Sequence, residues 1–309
     1  MKIPPLDDFD RTFNDPVWLS LAEDLLHEHR ITFRDLKRAE HGENIVVLVD
    51  DDFILKLYTP KKNGYNRERT ALEFADGKTS LPISRLVAHD AIEGYEYLIT
   101  NRLPGRLMLR PEWLTLNRSA QIGLLTQLAY GLKELHSHDA SEIHFDWREF
   151  IEIQVGSVIE RQRAEGGNPE WLESLPKYLD IYLPLLPKSP PSVFMHGDVH
   201  FGNLRVTEDR NRPVISGLFD FADSLTGYYE YEFVAIGVLM IQGQGDLQRE
   251  FFRAYGYQDS EINIDLRRRM MLLTILYEHS SLKRYAERLG PGSENLTLEE
   301  LECAIWNFV

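Results

Sequence analysis

The strongest constraint on this chain lies past its middle, in the octet His196-Gly197-Asp198-Val199-His200-Phe201-Gly202-Asn203. Short apolar runs flank it, Val193-Phe194-Met195 before and Val214 to Phe219 after. A fold that buries both runs must present the polar side chains between them from a tight loop. Seventeen residues after Asn203 comes Asp220, set between Phe219 and Phe221 at the end of the second run. A turn would account for any one of these Asp or Asn residues. It accounts for neither the spacing nor the second acid among aromatics. Two acids and an Asn gathered this way suit divalent-metal phosphoryl transfer. An acceptor hydroxyl needs a carboxylate to orient it and take its proton, and Mg²⁺ needs hard oxygen ligands.

The pattern around this octet divides the chain. Asp15-Pro16-Val17-Trp18 reads as a helix start, with an Asp cap and Pro at the first helical position, and Trp18, Leu21, Ala22 and Leu25 keep helical spacing. Residues 44–58 read as a hairpin of two β-rich runs around Asp50-Asp51-Asp52. Tyr65 to Gly77 is helix-prone, and Tyr95 to Thr100 is a strand running into the break at Leu103-Pro104-Gly105. After Gly105, Ile122, Leu125, Leu128, Ala129, Leu132 and Leu135 mark a helix buried along one face. Residues 147–183 are helical but for Gly166-Gly167-Asn168-Pro169, and the segment from Phe233 onward is again helical. The length of 309 residues, at about 150 per domain, allows two lobes.

The octet followed by Asp220 resembles the aminoglycoside phosphotransferase (choline-kinase-like) family, small-molecule kinases with the protein-kinase fold. Lys56 in Ile54-Leu55-Lys56-Leu57-Tyr58, Glu68 in Asn66-Arg67-Glu68-Arg69, and Arg102-Leu103-Pro104-Gly105 extend the likeness. The resemblance implies an α+β, protein-kinase-like two-lobed fold with a small β-rich N-lobe and a larger, mainly helical C-lobe. Its expected divisions are a helical segment over 1–34, a nucleotide-binding N-lobe over 35–103 and a C-lobe over 104–309. It implies that Asp198 orients and deprotonates the acceptor hydroxyl, and that Asn203 and Asp220 hold Mg²⁺ against the phosphates of ATP or GTP. Lys56, held by Glu68, would grip the α/β-phosphates. The base would sit at the hinge near Thr100, Arg102 and Leu103, and His196 would be loop scaffold. Lys56 itself speaks for such a pair, because it interrupts an apolar strand where a lone charge would be expensive.

Three positions depart from the protein-kinase pattern. The expected phosphate loop, Arg38-Ala39-Glu40-His41-Gly42-Glu43-Asn44, has one glycine, so backbone amides near Gly42 and Asn44 would have to cap the phosphates. Ala222 follows Phe221 where protein kinases have Gly, and Glu232 stands where the family usually has Asp. Glu232 is expected to support the catalytic loop and not to bind metal.

For the acceptor, the resemblance and the net charge of −15 (34 Lys and Arg against 49 Asp and Glu) favour a polyhydroxylated cation such as an aminoglycoside. His200, Asp223, Glu230 and Glu278 are the expected acceptor residues, with Tyr228 and Tyr229 stacking on sugar rings. Relatives that act on choline, homoserine or sugars keep a metabolite kinase open, and antibiotic inactivation is the other family role. A non-catalytic nucleotide-binding protein would have lost the lysine or one of the two Asp, and all three are present. A metallophosphoesterase would need further blocks such as Gly-Asn-His-Glu, which the chain lacks, and no Ala-Pro-Glu ending of a protein-kinase activation segment follows Asp220. The acidic balance argues against nucleic acid. No apolar run approaches a membrane span of roughly 20 residues. One cysteine and an N-terminus without an apolar h-region point to a reducing, cytoplasmic setting, and a monomer or homodimer is expected.

Overall fold

Alternation along three central strands assigns their side chains to two different cores. The computed structural model describes residues 3–39 and 42–309. Its first sheet is antiparallel, in the order β1-β2-β3-β5-β4, from β1 (Leu36–Arg38), β2 (Ile45–Val49), β3 (Phe53–Leu57), β4 (Leu86–Ile92) and β5 (Tyr95–Asn101). The expected hairpin is β2 and β3, with Val46 opposite Lys56. Ile45, Val47, Val49, Leu55, Leu57, Tyr95, Tyr97 and Ile99 point to the outer face. There they meet Trp18, Leu21, Ala22, Leu25 and Leu26 of the helix Val17–Glu28. Each Val, Leu or Ile side chain among them, fully buried, contributes roughly 1.5–3 kcal/mol. Asp15 Oδ1 accepts from Val17 N–H at 2.9 Å, and Pro16, with helical backbone angles (φ −57°, ψ −18°), leads directly into Val17. Lys56 and Leu98, paired across β3 and β5, face the other way. The helix Gly64–Ala75 places Glu68 on that side.

Beyond β5 the chain turns through Arg102 to Gly105 into β6 (Arg106–Leu107). Gly105 has φ +88°, and a Cβ there would stand 2.3 Å from the Val206 carbonyl oxygen, so only glycine fits. The β6 strand pairs with β8 (Leu204–Asp209), which pairs with β9 (Arg212–Leu218). A separate ladder joins β7 (Val193–Met195) to β10 (Leu225–Gly227). The octet therefore runs from β7 to β8, and Asp220 follows β9 directly. A parallel bridge from Ile83 to Leu218 and the Leu218 N–H bond to Pro82 O, 2.8 Å, tie the two lobes beside that Asp.

Helices make up most of the remainder. Arg118–His136 is capped by Asn117 and buries the expected Leu125, Leu128, Ala129, Leu132 and Leu135. Trp147–Ala164 and Pro169–Tyr182 are separated at the expected glycines, with Asn168 capping the second. Gly245–Tyr255, Ile264–Leu276, Leu282–Leu289 and Leu298–Ile305 follow. The segment after Phe233 also holds a π-helical turn, Ile236–Ile241, ending at Gln242 in the left-handed region (φ 54°). A purely helical periodicity does not foretell that turn. There Gly237 lies against Trp306, where a Cβ would meet the indole at 2.1 Å. Among the described residues no helix is long and apolar enough to cross a membrane.

Candidate active site

Buried polar contacts hold the octet in place. His196 is fully buried; its Nδ1 accepts from Asp198 N–H at 3.2 Å and its Nε2 donates to Phe219 O at 3.0 Å. Both ring nitrogens are thus occupied in tying the loop to the end of β9. Gly197 has φ +87°, and a Cβ would fall 2.3 Å from Asp223 O, which accounts for glycine between His and Asp. Glu232, 1% exposed, accepts from His196 N–H (2.6 Å) and Gly197 N–H (3.0 Å). It holds the loop from below and stands away from the open face. Glu232→Ala would leave two buried N–H groups unsatisfied at about 1–3 kcal/mol each. Urea melts should show roughly 2–6 kcal/mol less unfolding free energy. A midpoint equal to wild type would mean that water or a shifted side chain replaces the carboxylate.

Asp198 emerges from this scaffold with every oxygen engaged. Tyr277 Oη lies 3.0 Å from Oδ1 and 3.0 Å from Gly197 O; His200 Nε2 lies 3.1 Å from Oδ2. Asn203 Nδ2 donates to the Asp198 carbonyl at 2.9 Å and reaches Oδ2 at 3.4 Å. Burial works to raise the carboxyl pKa, but the His200 hydrogen bond, the electrostatic influence of the His200 and His196 rings and the Tyr277 hydroxyl prevail and hold it at about 2. The group is an anion throughout the neutral range.

Across from it, Lys56 Nζ bridges Glu68 Oε2 at 2.6 Å and Asp220 Oδ1 at 2.7 Å, and the Tyr58 hydroxyl donates to the same Glu68 oxygen. Burial would discharge Lys56, but the two carboxylates outweigh it and raise its pKa. Burial likewise pushes Asp220 up, and Lys56 brings it below the usual carboxylate range. Asp220 sits at φ 66°, ψ 66°. A left-handed non-glycine residue costs of order 1–3 kcal/mol and is a mark of functional positions. In this conformation the carboxylate meets Lys56.

A cavity of about 880 Å³ opens between the lobes and is lined by Gly42, Asn44, Tyr58, Asp198, His200 and Asp220 among others. Gly42 (φ +131°) and Asn44 are at its N-lobe edge, and Asn44 Oδ1 is fastened by Thr59 N–H at 2.9 Å. Glu40 and His41 of the expected phosphate loop lie outside the described residues. Thr100, Arg102 and Leu103 do not line this cavity. The Arg102 side chain is turned to the β2–β3 turn, donating to Asp50 O (2.6 Å) and Asp51 (2.9 Å). Arg205 fills the space under the hinge instead, bonded to Pro104 and Gly105 carbonyls.

The expected acceptor residues divide. His200, Asp223 and Glu278 line the cavity. Glu230 does not: it is fully buried and clasped by Arg269 at 2.7 and 2.9 Å and by the Tyr257 hydroxyl at 2.7 Å. An acid expected at the acceptor is, in space, the counter-ion of Arg269. Tyr228 is buried, and Tyr229 stacks on Tyr255 at 5.5 Å, so neither ring is offered to a sugar. His279, 3.8 Å from Asp223, has its pKa raised, chiefly by that contact. Sequence reasoning missed Tyr277, Arg110, Arg284 and Arg288, all of which line the cavity. The only signal for the last two is their i, i+4 spacing, which a solvated helix face also shows.

The model of the "Phosphotransferase enzyme family" (APH) matches residues 35–273 of the chain. No curated protein matches it in sequence. Among solved structures it is similar to the GDP complex of wild-type aminoglycoside 2'-phosphotransferase-IIIa, with TM-score 0.68 and 16% identity over 94% of this chain and 99% of that one. It is similar to the GDP and kanamycin complex of APH(2")-IIIa, with TM-score 0.66 and 17% identity over 92% and 100%. The streptomycin-ATP-APH(2")-IIa ternary complex gives TM-score 0.62 and 17% identity over 91% and 97%. At these identities the likeness is one of fold: a protein-kinase-like arrangement of a small antiparallel N-lobe and a helical remainder.

Proposed function

Since the chain belongs to the phosphotransferase enzyme family, we propose that it is a small-molecule kinase moving the γ-phosphate of ATP or GTP to a hydroxyl of a small acceptor. The observation that carries this is Asp198, an anion fixed by Tyr277 and His200 on the wall of a cavity that also exposes Asp220. Asp198 orients the acceptor hydroxyl and collects its proton as the new O–P bond forms. With a pKa of about 2 it is a weak base, so it gains the proton late, as fits a loose phosphoryl-transfer transition state. Lys56, kept charged by Glu68, binds the α/β-phosphates. Amides near Gly42 and Asn44 cap the triphosphate.

The residues present fit Mg²⁺. Asn203 spends its side-chain N–H on Asp198, which leaves its side-chain oxygen Oδ1 without a partner among the described residues, and Asp220 commits one oxygen to Lys56 and keeps the other. Two hard protein oxygens, with phosphates and water completing the shell, are typical for this ion. When bound it neutralises phosphate charge.

A second reading, an aminoglycoside-like acceptor, rests on neighbours crystallised with kanamycin and streptomycin. In this cavity that reading retains Asp223 and Glu278 but loses Glu230 and both tyrosines. An ADP-release assay with MgATP and MgGTP over sugars, amino alcohols, hydroxy acids, sugar phosphates and aminoglycosides tests the general reading. We expect release that depends on one acceptor class. Release independent of every acceptor, and equal in Asp198→Asn, would refute it.

A further inference from the structure

Resting on that kinase reading, we propose that the acceptor carries an anionic group, a carboxylate or a phosphate, received by Arg110 and Arg288 on the C-lobe wall of the cavity. Three arginines converge there. Arg284 and Arg288 stand one turn apart on the helix Leu282–Leu289, and Arg110 opens the helix Arg110–Thr115. Like charges at that spacing oppose helix formation, so the arrangement is not explained by the helix itself. Guanidinium groups stay charged in proteins, and they cannot relieve the crowding by losing protons.

Their partners leave the charge largely uncancelled. Arg284 is 3.3 Å from Glu165. Arg110 donates to Gln242 Oε1 at 2.9 Å, a neutral oxygen that aims the guanidinium without offsetting it. Gln242 ends the π-helical turn whose Leu239 also faces the cavity, so the irregular turn positions both groups. Among the described residues no carboxylate pairs with Arg288. Burial lowers its pKa, and Arg110 and Arg284 lower it further, with only the Tyr285 hydroxyl opposing them.

The cavity's acids are, by contrast, mostly committed. Asp198 is held by His200, Asp220 by Lys56, Asp223 faces His279 and Glu43 pairs with Lys62. Glu278 is left, and its charge acts on His279 and Arg161. The chain's net −15 therefore does not describe this wall. What an incoming molecule meets is the local field. Leu239 and Phe201 line the same cavity and provide apolar contact for a compact organic skeleton. Planar guanidinium forks match carboxylate and phosphate oxygens, often two at a time.

Ligand-observed NMR on the full chain with MgADP tests this with matched compounds: a polyol, its hydroxy acid, its phosphate monoester, its amino alcohol, and one aminoglycoside. The acid or the monoester is expected to bind, and whichever is tighter separates carboxylate from phosphate. Arg288→Gln should weaken that binding about tenfold or more, the loss of a charge-assisted hydrogen bond. Arg288→Lys should restore part of it, and thermal melts show whether each variant is folded. Absence of binding by both anionic members, binding confined to neutral or amino members, or affinity unchanged in both Arg288→Gln and Arg110→Gln would overturn the proposal. ADP release separates the two readings. Turnover of only neutral or cationic acceptors keeps the kinase and removes the anionic site; Arg288-dependent binding without any ADP release keeps the site and removes the kinase.

Discussion

Asp198→Asn should fold and bind MgADP as the wild type does, while turnover falls by about 10²–10⁴-fold. The substitution keeps the shape of the side chain and an oxygen to accept from Tyr277. It removes the negative charge that His200 and Asn203 face, and with it the proposed acceptor of the hydroxyl proton. The depressed pKa sets a second expectation. A carboxyl held at about 2 is ionised at every pH above about 4, so an acid limb in kcat/KM between pH 5 and 8 would belong to another group. Retention of more than about a tenth of wild-type kcat would remove Asp198 from the chemistry.

Asp220→Ala is expected to abolish the Mg²⁺-dependent part of nucleotide binding, a loss beyond about 100-fold, since even outer-shell partners of a metal are worth 10–100-fold. Two consequences combine. The hard oxygen not used by Lys56 disappears, and Lys56 keeps Glu68 alone as its counter-charge. Calorimetry with MgATP, MgGTP and each nucleotide in EDTA separates metal-dependent from metal-independent affinity. Asp220→Asn serves as the folding control, because Asn tolerates the left-handed backbone and keeps one oxygen. Equal affinity for MgATP in wild type and the Ala variant would make Asp220 a strained turn residue and nothing more.

The sites in these two experiments were legible in the sequence for a shared reason. His196 to Asn203 lie within one loop, and apolar runs on both sides oblige that loop to be anchored at each end. Chain connectivity does the positioning, so spacing is informative. Lys56 is legible for another local reason: a charge in an apolar strand must find a counter-ion, and the structure supplies Glu68 and Asp220.

Local sequence also determined which segments became the β2–β3 hairpin and the helices Val17–Glu28 and Arg118–His136, because period-two and period-3.6 burial require no distant partner to be recognised. Tertiary structure alone decided the rest. Glu230 and Glu278 look alike as sequence; packing buries one against Arg269 and leaves the other on the cavity wall. Arg102 was read with the hinge and is spent on Asp51, because the β2–β3 turn folds back beside it. Tyr277, 79 positions from Asp198, reaches it only because the end of the helix Ile264–Leu276 packs behind the loop. Arg110 and Arg288 come to line one cavity by the same kind of closure. A side chain's type and periodicity record how it suits its own helix or strand; its charge partner is chosen by long-range packing, and no local pattern carries that information.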